Sequence, residues 1–291
     1  MFLVSCLLFT SIYGYVQSDV QNKVHEWGIV VFEENSPLMC GESWQDINLY
    51  PDYLVEACAE APVVWIYGEP FETGTFTVTT GEQSITLTYP TPDRTALGLA
   101  EWDISADVPT ERAVVETIEE TPMTLEGEET VDIYDGPFWW AMNSWREVQS
   151  LSLYQEYTGI TENFLYYECA VHPGFTDNFF EWGSNGNPVF PGTEIQEALY
   201  FTPGGVFSVS VPTVEFTPLT VPMLNGISTN TILDTFSIWG RSNLEPAEIS
   251  ALWETWEPVF TEEGSFWLVF PIPEQYYNSI STINLIQLIK V

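Results

Sequence analysis

The two histidines are the residues whose type is most specific for chemistry. His25 is followed by Glu26 at the start of an apolar segment, and His172 ends a second segment of this kind. His25, His172 and Glu26 could act as three metal ligands if their strands were neighbours. Successive residues of a strand point to opposite faces, so His25 and Glu26 are poor joint ligands. The alternative is that each histidine is a structural hydrogen-bonding residue at a strand end.

Carboxylates are the second candidates, because the chain has 42 Asp and Glu against six Lys and Arg, with a formal net charge of -36. Two carboxylates about 5–9 Å apart can hydrolyse a glycosidic bond, but so many acids give this pattern no specificity. Clustered glutamates also suit Ca²⁺, which prefers oxygen ligands. The two glutamate sets considered for Ca²⁺ are Glu116, Glu119 and Glu120, and Glu126, Glu128 and Glu129. The alternative is a solvated acidic surface that keeps the protein soluble.

The negative charge also limits the partners of the protein. It repels phosphate backbones and anionic lipid surfaces, so nucleic-acid binding is not expected. Glycans, cations and protein partners remain. The sequence has no G-x-S-x-G, P-loop or H-E-x-x-H signature. We therefore expect a non-catalytic binding or structural role. The alternative is a secreted hydrolase of glycan or peptide that uses carboxylates or a His/carboxylate metal site.

The N-terminal segment predicts export. Residues 2–16 are apolar and carry no charged side chain, but they are shorter than the roughly 20 residues of a membrane span. We expect residues 1–18 to be a signal peptide and residues 19–291 to form a single β-rich domain, exported and without a transmembrane span. Leu3-Val4-Ser5-Cys6 also resembles a lipobox, so a lipoprotein anchored through Cys6 is a minor alternative.

The cysteines are interpreted in the light of export, which permits disulfides. Cys40 and Cys58 enclose a short loop and are the candidate disulfide. Cys169 is then left over, and we expect it to be buried as a small apolar residue. No C-x-x-C occurs, so the spacing does not indicate zinc.

Strands must position most of these residues, because aromatic and β-branched residues dominate the chain. The predicted fold class is mainly β: an antiparallel β-sandwich-like domain with one C-terminal amphipathic helix packed on a sheet. Pro246–Glu257 is that helix, with Ile249, Leu252, Trp253 and Trp256 on one stripe and Pro258 as its stop. The other predicted elements are strands over 24–32, 61–67, 162–175, 230–240, 265–272 and 282–291, and hairpins over 73–90 and 197–212.

Four short motifs resemble a known family when they are taken in order. They are Val24-His25-Glu26-Trp27-Gly28, Ala61–Tyr67, Trp145-Arg146-Glu147 followed by residues 162–167, and the C-terminal helix followed by residues 262–271. This order resembles a family of uncharacterised secreted bacterial proteins, common in planctomycetes, that begin with V-H-E-W-G. The resemblance implies export and one structural unit that begins near His25, and it implies no known activity.

Overall fold

The structure is a computed structural model, and it describes most of the chain between residue 58 and residue 287 together with parts of the N-terminal segment. The described residues are 3–13, 22–33, 38–39, 54–55, 58–109, 122–125, 130–132, 139–172, 174–175, 179–183, 188–192, 194–211, 226–241, 243–263, 265–273, 276 and 279–287. The glutamates considered for Ca²⁺ and Cys40 lie outside these residues.

Strands make up most of the described elements. In chain order they are β1 Leu3–Tyr13, β2 Lys23–Glu33, β3 Leu38–Met39, β4 Leu54–Val55, β5 Cys58–Tyr67, β6 Phe71–Thr79, β7 Ile85–Tyr89, β8 Arg94–Ala96, β9 Leu99–Asp107, β10 Pro122–Leu125, β11 Thr130–Asp132, β12 Ser152–Gln155, β13 Thr161–Glu162, β14 Leu165–Ala170, β15 Glu181–Trp182, β16 Pro188–Val189, β17 Glu197–Thr202, β18 Gly205–Ser210, β19 Trp267–Pro271 and β20 Thr282–Gln287. The helices are α1 Met142–Glu147, α2 Thr229–Trp239 and α3 Pro246–Phe260.

Two sheets dominate the described part of the fold. The larger has ten strands in the order β11-β10-β7-β14-β5-β2-β1-β19-β17-β18, and the smaller has six, with β13-β12-β9-β6-β20 in line and β8 beside β9. We call them the large sheet and the small sheet. Within the described residues, β1 and β19 are parallel and the other pairs are antiparallel. The mainly β, sandwich-like fold class is therefore confirmed.

The large sheet has a hydrophobic layer on each face. On one face its Trp27 and Trp65 pack in one cluster with Leu252 and Trp256 of α3. On the other face its Val30 belongs to a second cluster, which also contains residues of the small sheet. The small-sheet members of this second cluster are Phe76, Val78, Ala100, Trp102, Ile104, Ala106, Leu153, Ile283 and Leu285. The protein thus has three layers, with the helices and the small sheet on opposite sides of the large sheet.

The segment assigned to the signal peptide contributes an interior strand. Residues 3–13 form β1, which lies between β2 and β19 in the large sheet. Leu3–Tyr13 pairs with Lys23–Glu33 of β2, and Leu3–Leu7 pairs with Trp267–Pro271 of β19. Removal of residues 1–18 stays a prediction, and it would take this strand out of the sheet. Among the described helices, none is both long and apolar enough to cross a bilayer.

The hairpin predicted over 73–90 is wrong. β6 lies in the small sheet beside β9 and β20, whereas β7 lies in the large sheet beside β14 and β10. The burial of the two strands explains the difference, because all five residues of β7 are buried whereas those of β6 alternate between buried and partly exposed. A strand that is buried throughout needs cover on both faces, and in this fold the large sheet is covered on both of its faces. The hairpin over 197–212 is confirmed, since β17 pairs with β18.

The strand predicted over 230–240 is also wrong, since these residues belong to helix α2. Ser228 caps the helix by accepting a hydrogen bond from the backbone N–H of Thr231. The buried residues Ile232, Phe236 and Trp239 are four and then three positions apart, which is helical spacing. This stripe outweighs the β-branched composition that suggested a strand. The C-terminal region therefore contributes two packed helices rather than one.

Helix α3 confirms the predicted helix but extends beyond its predicted end. It continues through Pro258 to Phe260. Val259 and Phe260 are buried in the helix-side cluster. A proline in the last turn removes one backbone hydrogen bond, and burial of these two side chains offsets that loss.

We expect Trp256→Ala to destabilise the protein by about 3–5 kcal/mol, because Trp256 is fully buried and stacks on Phe260. Trp253→Ala should act in the same direction. Thermal melting of each variant measures the effect, and Ile238→Ala on α2 is the control, since Ile238 is 66% exposed. If the melting temperature of Trp256→Ala stayed within roughly two degrees of the wild-type value, the assignment of Trp256 to the core would be contradicted.

Candidate functional sites

His25 forms a buried pair with a carboxylate of the C-terminal helix. Its Nδ1 lies 3.2 Å from Oε1 and 3.1 Å from Oε2 of Glu248. His25 is 4% exposed and Glu248 is fully buried. The two residues are 223 positions apart in the chain. The pair therefore joins β2, in the middle of the large sheet, to the first turn of α3.

The start of α3 fixes the Glu248 carboxylate. Glu248 is the third residue of the helix and accepts a hydrogen bond from the backbone N–H of Glu245, while the Glu245 side chain accepts one from the backbone of Glu248. This capping box satisfies N–H groups that the first helical turn leaves free. The helix N-terminus also favours a negative charge. Glu248 thus holds the helix end and His25 at the same time.

Tyr67 completes this cluster. Its ring centroid lies 4.7 Å from that of His25. Burial, and then the negative charge of Glu248, raise the pKa of Tyr67 far above its ordinary value. The phenol therefore stays protonated wherever the protein is folded at ordinary pH. A carboxylate bound to Nδ1 orients an imidazole, as in general-base sites, but this imidazole is enclosed.

The structure does not bring His25, His172 and Glu26 together. Glu26 lies on the sandwich side of β2, where its carboxylate accepts a hydrogen bond from the Tyr167 hydroxyl. His172 is exposed and follows β14. His25 pairs with Trp65, whereas the end of β14 pairs with Cys58, so the two histidines are separated by about 20 Å along the strands. In the described part of the chain, no group of three or more His, Cys, Asp or Glu could hold a metal ion.

A second buried ion pair was not expected from the sequence. Nε of Arg146 on α1 donates to the Glu162 carboxylate at 3.0 and 3.2 Å, and the Tyr89 hydroxyl donates to the same carboxylate at 2.9 Å. Burial, and then the charge of Glu162, raise the pKa of Tyr89. Asn163 next to it donates to backbone carbonyls at the end of α1. This cluster joins α1 to β7 of the large sheet and to β13 of the small sheet.

The outer face of the small sheet is polar and faces solvent. Tyr154 on β12 is 44% exposed, and Tyr157 in the turn after this strand is 68% exposed. Next to Tyr154, β9 presents Ser105, and Asp103 follows two residues away on the same face. The other residues on this face that are exposed or half-buried are Thr75, Thr77, Thr79, Arg94, Ala96, Leu99, Glu101, Asp107, Thr282, Asn284 and Ile286.

Hydrogen bonds and ion pairs order this face. The Thr75 hydroxyl donates to the Asp103 carboxylate at 2.8 Å. Arg94 forms an ion pair with Glu101 and lies 3.6 Å from Asp103. Cross-strand pairs of this kind keep the side chains in place on the sheet. The face therefore presents ordered hydroxyls, carboxylates and the Tyr154 ring on one side of the small sheet.

The cysteine predictions have different outcomes. Cys169 is a buried free thiol, as expected. Burial, and then the charges of Glu26 and Glu168, raise its pKa, so it is not a reactive thiolate. Cys58 is buried at the start of β5. Its predicted partner Cys40 lies outside the described residues, so the disulfide stays a prediction.

The residues that sequence reasoning missed are Glu248, Tyr67 and the Arg146–Glu162 pair. Glu248 lies outside the predicted apolar stripe of the helix, and such a position predicts exposure to solvent. Its position three residues after the N-cap was the available signal, since this is the capping-box position. Its contact with His25 depends on tertiary packing, which leaves no local trace.

Comparisons with family models, curated proteins and solved structures return no match.

We expect Glu248→Ala to destabilise the protein by about 2–4 kcal/mol, because it removes a helix cap and leaves His25 Nδ1 buried without a partner. Glu248→Gln should be milder, since glutamine can keep both contacts. Urea unfolding measures both variants. Glu257→Ala, an exposed position on the same helix, should change stability by less than about 0.5 kcal/mol. Equal effects of Glu248→Ala and Glu257→Ala would contradict a structural role of the pair.

The buried tyrosines predict a loss of stability in alkali. The folded protein raises the pKa of Tyr67, Tyr89, Tyr167 and Tyr200 above their ordinary value of 10.0. Above about pH 10 the unfolded chain therefore binds fewer protons than the folded one, and the free energy of unfolding falls as pH rises. Tyrosinate absorbance should show these groups ionising only when circular dichroism shows unfolding. Complete ionisation of all tyrosines in the folded protein would contradict this prediction, and titration in guanidinium provides the reference.

Proposed function

We propose that this chain is an exported, non-catalytic binding protein that binds a neutral, hydroxyl-rich polymer such as a glycan on the outer face of the small sheet. The observation that carries the proposal is the exposure of Tyr154 beside fixed polar groups on that face, together with the exposed Tyr157 in the turn that follows β12. Aromatic rings that combine an apolar body with a polar tip are typical of binding surfaces.

The chemistry of the face suits a sugar chain. A tyrosine ring can cover the apolar side of a sugar, while threonine hydroxyls and the Asp103 carboxylate can exchange hydrogen bonds with its hydroxyls. Arg94 is held by Glu101 and Asp103, so its charge is balanced within the face. An open sheet face of this kind can lie along an extended polymer without closing around it.

The net charge argues against an anionic ligand. At -36 the protein repels anionic polymers. A cationic partner would be attracted by acidic surface in general, and this attraction would need no aromatic residues. Binding of a neutral polymer should therefore persist in about 1 M salt, where the Debye length is about 3 Å.

Export is part of this proposal, and it rests on the uncharged apolar segment 2–16. Protein recovered from the culture medium or periplasm should have the mass of a chain that begins near Asp19. Exported protein that still carries Met1 would contradict removal of the segment. Recovery of protein with a lipid on Cys6 would favour the lipoprotein alternative.

We expect Tyr154→Ala and Tyr157→Ala each to weaken retention by a neutral polysaccharide about tenfold, which corresponds to about 1.4 kcal/mol. Affinity electrophoresis through a panel of soluble neutral glycans measures this retention. Ile238→Ala is the matched control, because Ile238 is also exposed but belongs to the helical layer. Melting temperatures of all three variants should stay close to that of the wild type.

Two outcomes would count against the binding proposal. Retention by both tyrosine variants that equals that of the wild type would exclude this face, and retention that disappears in high salt would indicate an electrostatic interaction instead. Release of new reducing ends from a retained glycan would favour the hydrolase alternative. In that case Glu101→Gln and Asp103→Asn are the variants to examine, since both carboxylates lie on the same face.

A further inference from the structure

β1 is an interior strand of the large sheet, and it is formed by the segment that we propose is removed on export. It pairs with β2 along its full length of 11 residues and with β19 over Leu3–Leu7. Removal of residues 1–18 leaves one edge of β2 and one edge of β19 without sheet partners. Buried backbone groups that lack partners are strongly unfavourable, so this position must be refilled or closed.

Helix α3 holds apart β2 and β19, the two strands that form the walls of this position. Near its start, Glu248 contacts His25 of β2, and near its end the ring centroid of Phe260 lies 5.6 Å from that of Trp267 in β19. Neighbouring strands are about 4.8 Å apart, so β2 and β19 are separated by about 10 Å with β1 between them. Direct pairing of β2 with β19 would require a shift of about 5 Å. Such a shift would break one of these two contacts.

Apart from His25 and Glu26 near the start of β2, the two strands that border this position are largely apolar on both faces of the sheet. Trp27 of β2 and Val269 of β19 belong to the helix-side cluster, and Val30 and Leu268 belong to the cluster between the sheets. A charged side chain placed here would lose its hydration on either face. Residues 3–13 carry no charged side chain. The segment that fits is therefore extended, apolar on both sides and about 11 residues long.

We propose that in the processed chain this position is a strand-acceptor site, which binds an extended apolar segment of a second polypeptide antiparallel to β2 and parallel to β19. In the unprocessed chain the protein's own residues 3–13 fill it. Main-chain hydrogen bonds along β2 give the affinity, and the apolar walls select against charged segments. The proposal rests on the proposed export and is independent of the glycan face, which lies on the small sheet.

The test compares the exported, processed protein with the full chain that retains residues 1–18. The probe is a synthetic peptide of residues 2–16 with a solubilising lysine tail. Two control peptides carry either Leu7→Asp with Leu8→Asp, which places a charge on each face, or Leu8→Pro, which removes a backbone donor. Calorimetry measures stoichiometry, and thermal melting measures stabilisation.

We expect one peptide to bind each processed chain and to raise its melting temperature by about 5–10 °C at saturating peptide. The control peptides and the full chain should show no binding. If the processed chain aggregates alone, refolding that succeeds with the native peptide and fails with both controls supports the site equally.

Three results would overturn the proposal. The processed chain could melt at the temperature of the full chain and bind no peptide, which would mean that the sheet closes by itself. The processed chain could form a stable dimer in which the open strand edges of the two copies cover one another and exclude the peptide. The mass of the exported protein could also show that it begins at Met1. That result would make β1 a permanent strand and reject processing. Glycan retention could still be measured on the same sample, so the proposed function would be tested separately.

Discussion

His25 and Glu26 are neighbours in the chain, yet their side chains lie in different layers because β2 is buried on both faces. His25 faces the helices and contacts Glu248, whereas Glu26 faces the small sheet and contacts Tyr167. This double burial requires cover on both sides of the large sheet. The helices provide one cover and the small sheet the other, so the three-layer arrangement follows from the apolar character of the central strands.

The scarcity of cations makes the buried acids informative. In the described part of the structure, Glu26, Glu162, Glu168 and Glu248 are buried, and each has a hydrogen-bonding or ionic partner. Tyrosine hydroxyls donate to Glu26 and Glu168. His25 pairs with Glu248, and both Arg146 and Tyr89 donate to Glu162. The chain thus stabilises buried carboxylates mainly with neutral donors. Among these four acids, Glu162 is the one that pairs with an arginine.

The sequence was sufficient for the features that depend on local pattern. The apolar run 61–67 is a buried strand, 197–212 is a hairpin, and the stripe of Ile249 and Trp256 packs on a sheet. The failures concern features that depend on partners distant in the chain. Strands β6 and β7 are adjacent in sequence, but only the cover required by β7 assigns them to different sheets. Segment 230–240 has strand-like composition, but its stripe of buried residues at helical spacing determines the fold.

The candidate sites were less predictable than the fold for the same reason. Tyr154 and Glu248 are ordinary residues of a strand and a helix, and only the packed layers make the first exposed and the second buried. The spacing of the two histidines in the sequence held no information on their separation. His25 lies in β2 and His172 follows β14, and the pairing of these strands with β5 places the two residues toward opposite ends of β5. Sites assembled from distant segments leave no motif in the chain.

Pairing between the first and last segments of the chain also sets the order of events during synthesis. Leu3 pairs with Trp267, and Phe76 pairs with Leu285, so neither sheet can be completed until almost the whole polypeptide has been made. Contacts this distant in sequence slow folding, since loop closure must come before any gain from strand pairing. The nascent chain is therefore held in an incompletely folded state until its C-terminal strands emerge. A translocation channel that accepts only extended polypeptide could engage the protein throughout that interval.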